Sequence, residues 1–505
     1  MKKITKIFNI IVVLLILLML FGCDIPSDSN GNNNNQNNNN NNIPPVKIAE
    51  KLTIITINDF HGALEPDNEG KYGVSKLAYA IKNDFDRAEA AVLISAGDMF
   101  QGTALSYYDR GKTVVDVMNQ MKFDSMTIGN HEFDWGYDTI YNYIDGDTSN
   151  GEANFPFLGC NVYDKATKSI AKGAKAYTIV ERGGLKIGIL GFIGETLESS
   201  ISPTFIADYE FVEVMPLVKK YVKELRETHE CDIVIAVGHD DEKYNERLAN
   251  LSGTERVDAI VNSHSHQTYA SVIERSDGVM IPYIQAGSAG EKYGYMTLNI
   301  NTETKEVISG TSQVKINNSS QIEANVELIL YKLKLVTDPI FNRVIGKATE
   351  NVYKNGCADW AANAIYDYYD VDLAVINSGG IRSQGLPLYK NQDITVSNIH
   401  TIVPFDNTVK LVTLKGSDVV RIVKMFVSST NVYYNESTNE IFINGQKLDY
   451  NKKYRVAAID YIFDNAKYPF LYGENITVTN KLFREILVER VEKDGSIIIP
   501  FRKTY

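Results

Sequence analysis

Five short apolar runs, each ending at a residue able to ligate a metal, constrain this chain more than any other feature of it. Residues 52–57 lead into Asn58-Asp59-Phe60-His61-Gly62, and residues 91–96 into Gly97-Asp98. Residues 125–128 lead into Gly129-Asn130-His131-Glu132, residues 232–237 into Gly238-His239, and residues 257–261 into Asn262-Ser263-His264-Ser265-His266. Apolar runs of this length, bounded by glycine or polar turns, read as buried strands. Helix-like segments lie between them, at residues 75–86 and 217–228. The alternation predicts an α/β architecture, in which ligand sites gather at the carboxyl ends of strands.

Histidine placement sharpens this. The chain has 7 histidines, and five of them (His61, His131, His239, His264 and His266) stand at these strand ends. His229 and His400 fall outside the pattern and read as packing or surface residues. Mixed imidazole and carboxylate donors suit borderline divalent ions such as Zn²⁺ or Mn²⁺. A carboxylate has two oxygens, so one aspartate can bridge two ions ~3.5–4 Å apart, the arrangement of a two-metal hydrolase. Taken alone, Gly129-Asn130 is only a turn, and Glu132 and Asp134 are solvated acids. Asp240-Asp241-Glu242 reads as the exposed start of a helix, since acids favour a first turn. The chain has no GxxxxGK[ST] phosphate loop, which argues against ATP-driven work. Gly287-Ser288-Ala289-Gly290 reads as a turn.

The ordered set NDxHG, GD, GNHE, GH and xHSH resembles the calcineurin-like metallophosphoesterases. More narrowly, it resembles the secreted bacterial 5′-nucleotidase / 2′,3′-cyclic phosphodiesterase / UDP-sugar hydrolase family, from about Lys51 to the C-terminus. The resemblance implies a metallophosphoesterase β-sandwich flanked by helices over residues 49–318. It also implies a connecting helix over residues 319–340 and a second α/β substrate-specificity domain over residues 341–505. Carried over by position, Asp59, His61, Asp98 and His266 hold one divalent ion. Asp98, Asn130, His239 and His264 hold the other, with Asp98 bridging. His131 meets the phosphate as electrophile or general acid, and Asp134 orients its ring. Ser263 stands where the family usually has glycine before the HSH motif.

Further along, Ile322, Val326, Ile329, Leu330 and Leu333 fall on one helical face between residues 320 and 336. Residues 372–376 read as a buried strand ending in Asn377-Ser378-Gly379-Gly380-Ile381-Arg382. Paired glycines let a backbone approach a ligand closely, and an arginine fork suits phosphate. This NxGGIR segment and Pro404-Phe405-Asp406-Asn407 match family signatures. They imply substrate contacts from Asn377, Gly379, Gly380, Arg382, Phe405 and Asn407. Two segments depart from the family. Residues 354–364 replace a glutamate-rich stretch with GNL and DA, and residues 460–470 replace a GGDGY loop. In the family that last region stacks an aromatic on the base; Phe426, Tyr468 and Phe470 are the candidates here.

At the N-terminus, Lys2, Lys3 and Lys6 precede an apolar run from Ile10 to Phe21. It is too short to span ~30 Å of hydrocarbon, which takes about 20 helical residues. A basic start and a short apolar stretch read as a secretion signal. Leu20-Phe21-Gly22-Cys23 resembles a bacterial lipoprotein lipobox, which implies a signal peptide over residues 1–23 and a lipid on the Cys23 sulfur. Residues 24–48, dominated by asparagine, read as a disordered tether that buries too little to offset its ordering entropy.

Composition fits a folded body behind that tether: 44% of residues are hydrophobic and 23% charged. A net charge of −12 argues against a nucleic-acid partner, which needs a basic face. It leaves room for an anionic small substrate, because bound cations reverse the local field. Cys23, Cys160, Cys231 and Cys357 are too scattered for a disulfide framework. No feature of the sequence sets an oligomeric state. The expectation is an extracytoplasmic bacterial enzyme whose lipid anchor is its only membrane contact. It hydrolyses phosphate esters of nucleotides with two divalent ions, 5′-nucleotides foremost. The rivals are a 2′,3′-cyclic nucleotide phosphodiesterase, a UDP-sugar hydrolase and an inactive surface-binding lipoprotein; the presence of all seven ligands disfavours the last.

Overall fold

All five apolar runs are strands: Lys51–Ile57, Ala90–Ser95, Ser125–Thr127, Ile233–His239 and Ala259–Val261. The computed structural model describes residues 47–67 and 70–502. The expected signal peptide, Cys23 and all but the last two residues of the tether lie outside the described residues.

Two six-stranded sheets hold these strands. The first runs Val307–Ile316, Lys292–Ile300, Lys51–Ile57, Ala90–Ser95, Ser125–Thr127, Phe157–Leu158. The second runs Thr268–Glu274, Met280–Ala286, Ala259–Val261, Ile233–His239, Leu185–Ile193, Tyr177–Arg182. The ligand-bearing strands pair in parallel within each sheet. Antiparallel strands extend the first sheet on one side and flank the second on both. Parallel strands covered on both faces read as continuous apolar runs rather than alternating ones.

Leu52, Ile54, Val92 and Ile94 of the first sheet share one buried layer with Ile187, Ile189, Ile233 and Val237 of the second. Outside the first sheet, the Val74–Arg87 and Lys112–Met121 helices pack through Leu77, Ile81, Val114 and Val117. Outside the second, the Val214–Glu227 helix packs through Val218, Val222 and Leu225. The result is the expected sandwich between helical layers. Its register keeps the strand ends level: Ile57 pairs with Ser95, Ser95 with Met126, and Val237 with Val261. The ligand loops therefore leave along one edge.

The connecting helix spans Ala324–Phe341, later than the residue pattern placed it. Ile322 precedes it and is 47% exposed, so it does not join the inner face. Val326, Leu330 and Leu333 pack into the catalytic core, and Phe341 into the core of the second domain. That domain has a five-stranded sheet: Val427–Ser428, Leu373–Ile376, Lys453–Ile459, Thr408–Lys415, Glu474–Leu482. Leu373–Ile376 and Lys453–Ile459 pair in parallel, and the other neighbours antiparallel. The Lys354–Tyr368 and Phe483–Asp494 helices cover it through Trp360, Ile365, Ile486 and Leu487.

Candidate metal centre and adjoining cavity

Most of the expected ligands leave their strands through left-handed backbone. Asp59, His61, Asp98, His264 and His266 have φ of 48°, 51°, 54°, 70° and 57°. Such backbone costs roughly 1–2 kcal/mol for a non-glycine residue, and it collects where function holds it in place. The motif glycines make room for these turns. A Cβ on Gly97, whose φ is 92°, would sit 2.8 Å from Gly129 N, His239 Nδ1 and Thr127 O. One on Gly129 would collide with the Asp98 carboxylate.

The seven residues converge as two groups. Ligand atoms of Asp59, His61 and His266 lie within 4.8 Å of one another, as do those of Asp98, His239 and His264. His61 Nε2 is 3.0 Å from His266 Nε2, which is 3.7 Å from Asp59 Oδ1. In the second group, Asn130 Oδ1 lies 3.1 Å from His239 Nε2 and 2.9 Å from His264 Nδ1. His61 Nδ1 donates to the Gln101 carbonyl at 2.9 Å, and His239 Nδ1 to the Ala96 carbonyl at 2.8 Å. A carbonyl only accepts, so each ring, once it gives up its other proton, turns an Nε2 lone pair into its group. Burial disfavours a charged His239, but Asp98 and Asp59 hold it protonated up to about 10 until a cation takes the proton's place. Asn58 Nδ2 and Ser263 Oγ donate to Asp59 Oδ2 at 2.7 and 2.9 Å, so the serine in place of glycine steadies a ligand.

These residues fit two divalent ions. Burial, with the charge of His239 or Arg382 adding, holds His264 and His266 down to about 4, so both rings are neutral and ready to ligate. Burial alone would raise the Asp98 carboxyl, but His239 and His131 outweigh it and hold it well below the carboxylate range. Asp98 Oδ2 and Asn130 Nδ2 are buried without a hydrogen-bond partner. Buried polar atoms are normally satisfied. A buried carboxylate oxygen with no aligned donor, 3.3 Å from His239 Nε2, marks a cation's place.

Glu132 is not the solvated acid its sequence context suggested. It is 0% exposed and accepts four backbone N–H groups. They are Asp98 at 2.9 Å, Met99 at 2.7 Å, Phe100 at 3.3 Å and Gly129 at 2.7 Å. One carboxylate thus ties the GD loop to the GN loop. Burial pushes its pKa up to about 7, Asp98 adds to the rise, and the N–H donors oppose it. Glu132→Gln turns an amide N–H toward N–H groups. Metal affinity is expected to fall about 10–100-fold and stability by roughly 1–3 kcal/mol. Competition with a chelator and thermal melting read the two effects. Asp240 is a second correction: it is buried and bonds Lys243 at 2.6 Å, and only Asp241 caps the short helix that follows.

His131 lies beside both groups. Its Nδ1 donates to Asp134 Oδ2 at 2.7 Å, and its backbone N–H to Asp98 Oδ1 at 2.8 Å. Burial disfavours the charged ring, but Asp134 and Asp98 more than reverse this, and its pKa ends above the usual value. The ring stacks on Phe405 of the second domain, 5.6 Å between centroids at 25°. A cavity of about 350 Å³ opens here, between Asn130, His131, Asp134 and His264 on one side and the second domain on the other. Asn377, Gly379, Gly380, Arg382, Phe405 and Asn407 all line it. Beyond Arg382, whose Nη2 is 3.3 Å from His61 Nε2, lies a larger cavity of about 650 Å³ that touches His61 and His266.

The expected base-stacking aromatics are elsewhere. Phe470 is fully buried and stacks on Phe463 at 5.5 Å, while Phe426 and Tyr468 pack edge-to-face at 4.9 Å. The cavity's aromatics are Phe405, Phe205 and Tyr461. Tyr461 follows the Lys453–Ile459 strand, a strand-end signal like those of the ligands; Phe205 had no signal in the sequence. Gln101, also on the wall, had only its nearness to Asp98. Outside the site, His229 bonds Tyr177 Oη at 2.9 Å and His400 packs against Tyr107 and Phe341, in keeping with their place outside the strand-end pattern.

Comparison with known proteins agrees with this geometry. Residues 52–268 match the family profile "Calcineurin-like phosphoesterase", and residues 337–471 match "5′-nucleotidase, C-terminal domain". The chain is 26% identical over 414 residues to a snake venom 5′-nucleotidase of Crotalus adamanteus, covering 73% of this chain and 68% of that protein. It is 26% identical over 506 residues to the 5′-nucleotidase of Bos taurus, covering 89% and 82%. In fold it is similar to the crystal structure of a 5′-nucleotidase precursor from Thermus thermophilus, with a TM-score of 0.76, 20% identity, and 89% and 98% of the two chains covered.

Proposed function

Because this chain belongs to the metal-dependent phosphoester hydrolases that join a calcineurin-like phosphoesterase domain to a 5′-nucleotidase C-terminal domain, we propose that it hydrolyses 5′-nucleotides to nucleoside and phosphate. One observation carries this: Asn130 and His264 of the second ligand group and the NxGGIR and PFDN segments border one 350 Å³ cavity, and His61 and His266 of the first group border the adjoining 650 Å³ cavity, which shares Gly379 and Arg382 with it. Asp59, His61, Asp98 and His266 would hold one ion, and Asp98, Asn130, His239 and His264 the other; zinc and manganese suit the donors. Bound there, two such ions activate water near neutral pH and stabilise charge on a transferring phosphoryl group.

The chain's own residues do the rest. With Nδ1 committed to Asp134, His131 presents a protonated Nε2 to the phosphoryl or leaving oxygen. Phe405 stacked on the ring holds its plane. Arg382 offers a planar fork to phosphate oxygens. Phe405 and Tyr461 offer aromatic faces to a base. Residues 49–318 are the catalytic domain, 319–340 the connector and 341–505 the substrate domain. Cys23 carries the lipid that keeps the enzyme outside the cell membrane. No helix among the described residues is long and apolar enough to cross a membrane.

A second reading, UDP-sugar hydrolysis, draws on the 650 Å³ cavity beside His61 and His266, which has room for a group on the far side of the reacting phosphorus. Phosphate release from a panel of 5′-nucleotides, 2′,3′-cyclic nucleotides and UDP-sugars decides between them. We expect 5′-nucleotides to turn over at least about tenfold faster than the others, a difference of roughly 1.4 kcal/mol. A chelator abolishes the activity, and Zn²⁺ or Mn²⁺ restores it. A metal-loaded protein that releases phosphate from no nucleotide would sink the proposal.

A further inference from the structure

We propose that Gln101 is a positioning residue that sets the register of the second domain on the metal centre. It stands three residues beyond Asp98, in the loop that Glu132 grips, and is 2% exposed. Its backbone carbonyl takes the Nδ1 proton of His61 at 2.9 Å. Its side-chain Nε2 donates to the Pro404 carbonyl at 3.0 Å, joining residues 303 positions apart. One residue therefore fixes a metal-group imidazole with its main chain and the second domain with its side chain.

What it holds in the second domain matters. Pro404 precedes Phe405, whose ring stacks on His131 and lies 5.8 Å from the Arg382 guanidinium. The Pro404 carbonyl can only accept, so the Gln101 amide has one allowed orientation. Oε1 must then point away from Pro404, and it is buried without a partner on the wall of the 350 Å³ cavity. A phosphate dianion has no proton for it. The group that fits Oε1 is a hydroxyl or amine donor on the organic part of a bound ester. Other cross-domain polar contacts near the cavity are long: Arg382 Nη2 to His61 Nε2 and Tyr461 Oη to the Ser199 carbonyl, each at 3.3 Å. Arg484 lies 4.3 Å over the Tyr107 ring, further along the same loop and helix. The stretch from Asp98 to Tyr107 is thus the platform on which the second domain sits, and Gln101 is its contact nearest the reacting centre.

The test uses the full chain loaded with Zn²⁺ or Mn²⁺ and the variant Gln101→Met, which keeps length and apolar bulk but can neither donate nor accept. Amide hydrogen exchange of peptides spanning residues 399–408 should quicken by about tenfold, the measure of one buried hydrogen bond. Peptides around Glu132 should not change, and metal content should stay at the wild-type level, because the carbonyl that holds His61 is untouched. With a 5′-nucleotide, kcat/KM should fall about tenfold, with KM rising by more than kcat falls. Bis-p-nitrophenyl phosphate, which has no hydroxyl or amine for Oε1, should lose less in kcat/KM than the nucleotide does. Unchanged exchange at residues 399–408 overturns the proposal. Faster exchange throughout the chain or loss of metal also overturns it, since Gln101 would then support the fold rather than the register. The exchange result does not depend on the substrate. A wild-type protein that ignores nucleotides but splits the small ester would count against the proposed function, not against Gln101.

Discussion

Asp98→Asn is expected to lower turnover by at least about 10³-fold while leaving the fold intact. Asp98 belongs to the group with His239 and His264, and its Oδ2 is buried without a hydrogen-bond donor; the proposed bridging role gives it both ions. An amide offers one neutral oxygen where, on the proposed reading, two ions would share a carboxylate. Such ions contribute several kcal/mol to the transition state, and each 1.36 kcal/mol is a factor of ten. The fold survives because Asp98 lies beyond the end of the Ala90–Ser95 strand, outside the layer of Ile54, Val92 and Ile235 that holds the sheets together. The amide oxygen can still accept the His131 N–H. Elemental analysis alongside turnover checks this: two ions retained with near-normal rate contradicts a bridging role.

His131→Ala should separate binding from chemistry. Neither ligand group includes His131, and Asp134 occupies its Nδ1. Metal content should therefore stay at the wild-type level while kcat falls about 10²–10⁴-fold, the usual contribution of a placed proton donor or charge-stabilising group. Metal lost in step with activity would make His131 a ligand instead. Loss of the basic limb of the pH profile should accompany the variant. The wild-type ring is useful while protonated, its pKa is raised by Asp134 and Asp98 against burial, and activity falls as pH rises through that value.

The sandwich and the two candidate ligand groups were legible in the sequence for one physical reason. Parallel strands buried on both faces leave unbroken apolar runs, and ligands at their ends stand out against glycine. NDxHG and xHSH lie far apart in the chain but fall into one cluster because the strand-end rule puts them on one edge. Glu132 escaped because its role exists only once the GD and GN loops are side by side; alone it is a carboxylate after a histidine. Gln101 escaped likewise, since its partner is a carbonyl 303 residues away. The stacking residues were misplaced because 30 tyrosines and 20 phenylalanines make an aromatic near any segment cheap. Burial decided against Phe470, and no local pattern separates a core ring from a cavity ring. Ile322 fits the helical period but sits before the helix begins, where periodicity alone gives no stop.

The left-handed turns that carry Asp59, His61, Asp98, His264 and His266 bear on how such a chain can change over generations. At roughly 1–2 kcal/mol each, they hold back an amount comparable to the ~5–15 kcal/mol net stability of a folded protein. Glycine at any of these positions would relax the backbone and remove a candidate ligand in the same step. A descendant freed from hydrolysis would thus drift downhill out of this motif, gaining robustness with every ligand it shed. Five strained non-glycine residues along one edge are what selection for a site, rather than for folding alone, would leave.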